Sequence, residues 1–135
     1  MMSTVIRNEV SKKNPYYLSK HRTLELKHFC LQYEEWRKEK AKITVLQSYG
    51  YGKIPGGDIP DKTAKLAMRA AELDGYMAMV VRCCKEADCY IWTWLLEGVT
   101  EGVGYEVLRV RGIPCGKDYY YDRYRKFFWL LDKER

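Results

Sequence analysis

Four residues near the end of the chain have the types and spacing to hold a polyanion: Tyr119, Arg123, Arg125 and Lys126. Arginine and lysine contact phosphate oxygens, and arginine also matches the acceptor edge of guanine. Tyrosine adds a hydroxyl for phosphate and a ring for a base. They lie in the second of two basic clusters, "GYEVLRVR" and "GKDYYYDRYRKFFWLL", joined by a Gly-Ile-Pro turn. On a helix at 100° per residue, Tyr120, Tyr124, Phe127, Phe128 and Leu131 of the second cluster share one face, which is a core face. The opposite arc carries Asp118, Tyr119, Asp122, Arg125 and Lys126, with Arg123 on its margin. A membrane-surface role fits less well, because Asp118, Asp122 and Asp132 would oppose anionic lipid.

Other chemistry finds little support. The five cysteines (Cys30, Cys83, Cys84, Cys89, Cys115) are odd in number and irregular in spacing, form no C-x-x-C pair, and mostly lie far from His21 and His28. They read as free thiols rather than a metal site. Cys30 and His28 stand at i and i+2 on one predicted helix, so their side chains diverge. "GYGK" (Gly50–Lys53) fails as a phosphate-binding loop: Gln47 stands where the first glycine belongs, and Ile54 where Ser or Thr is needed. No H-E-x-x-H or G-x-S-x-G motif is present, and Glu25, Glu34 and Glu35 read as solvated helix faces. The chain is not expected to be an enzyme or to carry a cofactor.

The basic clusters must be positioned by helices. Residues 1–14 read as a flexible, basic terminus. Asn14 and Pro15 open a predicted helix over about 16–40, with Leu26, Phe29, Tyr33 and Trp36 as one apolar stripe. Thr44–Pro60, with four glycines and two prolines, breaks it. A long helix follows from Asp61, with Leu66, Ala70, Leu73, Met77, Val80 and Cys84 at alternating steps of four and three. That seam either packs against the first helix as an antiparallel hairpin within residues 15–87 or forms a dimer contact. Gly75, costly inside a helix, suggests a close helix approach.

Three shorter helices are predicted in residues 88–135, at about 88–98, 104–111 and 116–133. Asp88 is the candidate cap of the first, Gly98 and then Thr100–Gly102 its end, and Cys115 to Asp118 a weak capping box for the last. A short helix, a glycine turn and a longer basic helix make a helix-turn-helix arrangement. No segment shows the alternation of a strand. The expected fold is therefore all-α: an N-terminal helical hairpin with a long middle helix, followed by a C-terminal helix-turn-helix.

Bulk properties agree. A chain of 135 residues, 47% hydrophobic and 31% charged, suits one globular domain. The net charge of +6 is uneven. Residues 1–40 hold nine basic and five acidic side chains, 41–103 seven and eight, and 104–135 eight and five. Basic ends around a near-neutral middle fit a polyanionic partner. No apolar run reaches membrane-spanning length, and the first residues lack the apolar stretch of a signal peptide, so a cytoplasmic protein is expected.

Two stretches, "NPYYLSKHRTLELKHFCLQYEEWR" and "GVTEGVGYEVLRVRGIPCGKDYYYDRYRKFFWLLDKER", resemble the RinA/ArpU-type late-gene transcription regulators encoded by phages and prophages of Gram-positive bacteria. The likeness covers most of the chain and extends to the order of its parts. It implies a C-terminal helix-turn-helix like region 4 of bacterial sigma factors, and a DNA-binding activator of packaging and structural genes in the bacterial host cytoplasm. It also implies that residues 116–126 are the recognition segment, with Lys117, Tyr119, Arg123, Arg125 and Lys126 facing DNA and with Arg109 and Arg111 near the DNA backbone. Pro114 and Gly116 depart from the Ser/Thr cap of that motif. The competing expectation is a phage protein-interaction or small-terminase-like packaging protein that uses the same helices to oligomerise. Partners would then include host RNA polymerase or a second copy of the chain.

Overall fold

The computed structural model describes residues 12–49 and 61–135, and among them it is all-α, with six helices and no strand. The Gly/Pro segment 50–60, with its "GYGK", and the basic residues 1–11 lie outside the described part. Two compact units are present. One combines residues 12–32 with 79–135, and the other is residues 33–78.

The first helix, α1, spans Lys20–Leu31, and its start is fixed by Ser19 rather than Asn14. The Ser19 hydroxyl accepts from the Arg22 N–H at 3.3 Å, the side-chain cap expected of serine. Asn14 instead closes a local turn, its side-chain oxygen accepting from the Tyr16 N–H at 2.8 Å. The helix ends at Leu31, where the Gln32 N–H turns back to the Phe29 carbonyl at 3.2 Å. The single helix predicted over 16–40 is thus two. Leu26 and Phe29 are buried in the first unit and Trp36 in the second.

The second helix, α2, runs Tyr33–Ser48, five residues into the stretch read as loop. Thr44 and Ser48 are accommodated because their hydroxyls donate to the Lys40 and Val45 carbonyls, at 3.0 and 2.8 Å. The third, α3, spans Asp61–Ala87 and contributes to both units. Of its heptad seam, Leu73, Val80 and Cys84 are buried within the single chain, while Leu66, Ala70 and Met77 are half-buried.

Within residues 33–78 the cross-contacts run antiparallel. Trp36 meets Tyr76 with ring centroids 5.1 Å apart, Lys40 pairs with Asp74 at 2.7 Å, and Glu39 with Arg69 at 2.7 Å. Gly75 marks no close approach: a Cβ placed there would meet nothing within 4 Å.

In the other unit, α1 and the end of α3 are joined by α4 (Trp92–Glu101), α5 (Tyr105–Arg111) and α6 (Lys117–Glu134). Asp88 does not open α4. Its Oδ1 accepts from the Tyr90 and Ile91 N–H groups at 2.7 and 3.0 Å, a turn that delays the helix to Trp92. Gly98 does not end α4 either. It lies buried inside the helix, because the Tyr120 hydroxyl occupies the space a Cβ would need. The helix ends at Gly102, with φ +73°, and α5 ends at Gly112, with φ +106°, both left-handed positions that favour glycine.

Candidate nucleic-acid interface

A short helix, α5, is followed by the turn 112–116 and then by the 18-residue α6. Three contacts fix the pair. Tyr105 donates its hydroxyl to the Cys115 carbonyl at 2.7 Å, and its N–H to the Tyr121 hydroxyl at 3.0 Å. Ile113 drops into the core. Along α6, Tyr120, Phe127, Phe128 and Leu131 are buried. Tyr124, expected on the same face, packs edge-on against Phe128 with centroids 5.0 Å apart, and burial pushes its phenol up. At the far end Arg22 of α1 holds Asp132 at 2.6 Å, Arg82 of α3 holds Glu134 at 2.7 Å, and Arg135 lies over the Phe29 ring. One face of α6 is therefore core, its tail is tied down, and its first turns remain at the surface.

The seven residues expected to face a polyanion divide into distinct groups. Lys117 is exposed at the first position of α6 and Lys126 is half-buried two turns on; no ion pair among the described residues involves either. Arg109 is exposed on α5 and pairs with Glu106 at 3.0 Å. Arg125 is half-buried on the flank of α6. Arg111 turns to α4, where it pairs with both Glu97 and Glu101, and these carboxylates raise its already high pKa.

Arg123 and Tyr119 are engaged on the protein itself. Arg123 pairs with Asp122 at 2.8 Å, approaches Asp88 at 4.0 Å and donates to the Ala87 carbonyl at 3.5 Å. Tyr119 keeps an exposed ring but donates its hydroxyl to Asp88 Oδ2. Asp88 is thus the residue that sequence reasoning undervalued: read only as a helix cap, it joins the end of α3 to the first turns of α6. Burial raises the Asp88 carboxyl, but the hydrogen bonds from Tyr119, Ile91 and Tyr90, with the Arg123 charge, outweigh it and hold the group below the usual range.

The start of α6 carries no side-chain cap, so the expected pairing of Cys115 with Asp118 does not form. Gly116 is the N-cap, at φ −82°, and a Cβ there would meet nothing within 4 Å. Neither backbone conformation nor packing requires glycine at this position. The first-turn N–H groups of a helix are a ready anion-binding set when no side chain occupies them.

Among the described residues there is no group of three or more metal-binding side chains, and no helix is long and apolar enough to cross a membrane. No family model matches the chain, and neither a curated protein nor a solved structure is similar to it.

Proposed function

We propose that the chain binds double-stranded DNA through α5 and the first turns of α6 and acts as a phage or prophage transcription regulator of late packaging and structural genes. The observation that carries this reading is the beginning of α6. An uncapped helix start, a glycine that the fold does not demand, and the exposed Lys117 lie together at the end of a glycine turn. Backbone N–H groups and a lysine at that place suit a phosphate, and a glycine lets the phosphate come close. Lys126, Arg125 and the Tyr119 ring extend the same helix along a groove, with Arg109 on α5 as a further phosphate contact. The net charge of +6, concentrated toward both ends, supports a polyanionic partner. The RinA/ArpU resemblance supplies the late-gene assignment.

The test is a fluorescence-anisotropy titration of the full chain against DNA from upstream of the neighbouring late-gene operon, with a scrambled duplex as control, at several salt concentrations. The expected result is preferential binding that weakens steeply with salt. Lys117→Ala and Lys126→Ala should each weaken binding to both duplexes and reduce the salt slope by about one. Equal affinity for the two duplexes would overturn specific regulation by this protein alone. A mass measurement showing a ring of many copies would favour the packaging role.

A further inference from the structure

Four of the seven residues best suited to meet DNA are held by the protein's own acidic groups, and two of them, Tyr119 and Arg123, meet the same one. The Asp88 side chain is only 6% exposed. Its Oδ1 is fixed by the Tyr90 and Ile91 N–H groups, so the carboxylate cannot rotate without breaking the turn that starts α4. Its Oδ2 accepts from the Tyr119 hydroxyl. The Arg123 guanidinium sits against this site and is enclosed by anionic or electron-rich groups: Asp88 at 4.0 Å, Asp122 at 2.8 Å, the Ala87 carbonyl at the negative end of α3, and the Tyr119 ring at 5.5 Å. A partly buried guanidinium with two carboxylates beside it offers little net charge to a phosphate.

We propose that Asp88 is a specificity-setting residue of the α6 surface: together with Asp122 it withholds Arg123, and by itself it withholds the Tyr119 hydroxyl, from the DNA backbone. The inference rests on the DNA-binding reading given above. Its consequence is a trade-off. Non-specific affinity grows with every phosphate a protein neutralises, whereas discrimination does not. Neutralising one arginine from behind keeps α6 in register while holding down its attraction for DNA of any sequence. Tyr119 and Arg123 lie one turn apart, so one carboxylate serves both. In this account Asp88 touches no DNA and acts through the two residues it holds.

Asp88→Asn tests this directly, since an amide oxygen can still accept from the Tyr90 and Ile91 N–H groups while the negative charge is lost. The full-length variant would be titrated with a random-sequence 20-base-pair duplex over a series of salt concentrations, beside the wild type. Freed of Asp88, Arg123 keeps only the more exposed Asp122 as a carboxylate partner and should turn to phosphate, tightening binding to the random duplex and steepening the log–log salt slope by up to about 0.9, the increment for one more phosphate. Asp88→Asn combined with Arg123→Gln should return the slope to the wild-type value. A slope that is unchanged or shallower in Asp88→Asn, with wild-type binding intact, overturns the inference and leaves the DNA reading standing. A wild type that binds no duplex overturns both. If Asp88→Asn does not fold, Arg123→Gln alone decides: a wild-type slope upholds the inference, and a loss of about 0.9 overturns it.

Discussion

The hydroxyl of Tyr120 rests against the backbone of Gly98, in the space where any other residue would place its Cβ. Leu108 closes the same spot from α5, with its Cδ1 at 3.4 Å from that Cβ position. The contact joins α4, α5 and α6 at one point. Gly98→Ala should therefore overpack it and cost roughly 1–3 kcal/mol, read as a lower midpoint in denaturant. The Tyr120 hydroxyl is buried and has no hydrogen-bond partner among the described residues. Removing it in Tyr120→Phe should be neutral or stabilising. The double variant Gly98→Ala/Tyr120→Phe should recover much of the loss, because the clashing atom is gone.

Gly75 presents the opposite case. It lies exposed inside α3 with open space around it, so alanine removes backbone entropy without a clash. Gly75→Ala should stabilise the chain by about 1 kcal/mol, measured by urea denaturation.

Asp88 makes stability depend on pH in a defined direction. Its folded carboxyl ionises more readily than an unfolded one, so the unfolded chain binds a proton first as acid is added. The contribution is fully present above the unfolded value, about 3.9, and is lost as pH falls through the lower folded value. Thermal melts of wild type and Asp88→Asn from neutral pH down to strong acid should show a difference that shrinks only at the acid end. A difference that stayed constant over that range would show that the charge of Asp88 contributes nothing.

Gly116→Ser separates stability from binding. A serine there can cap α6 and should stabilise the fold by a few tenths of a kcal/mol. The same hydroxyl occupies the first-turn N–H groups, so DNA affinity should fall while the melting temperature rises. Loss of both would point to a folding role for the glycine.

The cysteines should react in a fixed order. Cys89 is exposed, Cys115 half-buried, and Cys30, Cys83 and Cys84 buried. Burial pushes the Cys83 thiol up to about 12 and drives Cys30 and Cys84 further in the same direction, which suppresses the reactive thiolate. Iodoacetamide at mildly alkaline pH, followed by peptide mass mapping, should label Cys89 first and the three buried thiols only after unfolding.

What could be read from the sequence was local. The core face of α6 follows from ring spacing, and Tyr120, Phe127, Phe128 and Leu131 are buried where the 100° rule puts them. Gly102 and Gly112 end their helices because glycine alone takes the left-handed conformation without cost. The break at Gln32 left no such mark, since the stripe Leu26, Phe29, Tyr33, Trp36 keeps helical spacing straight through it. Asn14 and Ser19 are both good capping residues, and only packing of the helix that follows selects between them. Gly98 was misread because its reason is a tyrosine on another helix. Tyr119 looked free to meet a ligand because its partner, Asp88, precedes it by 31 residues and no short-range pattern connects them, whereas Arg123 shares that carboxylate with a pair to its own neighbour, Asp122.

The arrangement in which residues 12–32 pack with residues 79–135, leaving 33–78 as an insertion between them, also sets the order of events at the ribosome. The cross-contacts described within the 33–78 unit, such as Trp36 with Tyr76 and Lys40 with Asp74, involve no residue beyond it and can form before residues 79–135 are made. The helix α1 packs on α4 and α6, so the burial of Leu26, Phe29 and Cys30 is completed only when α6 arrives, about 100 residues later, a wait of roughly 5–20 s at bacterial-to-eukaryotic synthesis rates. For that interval the apolar side of α1 stays partly uncovered, and α6 is completed in the same step that ends its exposure.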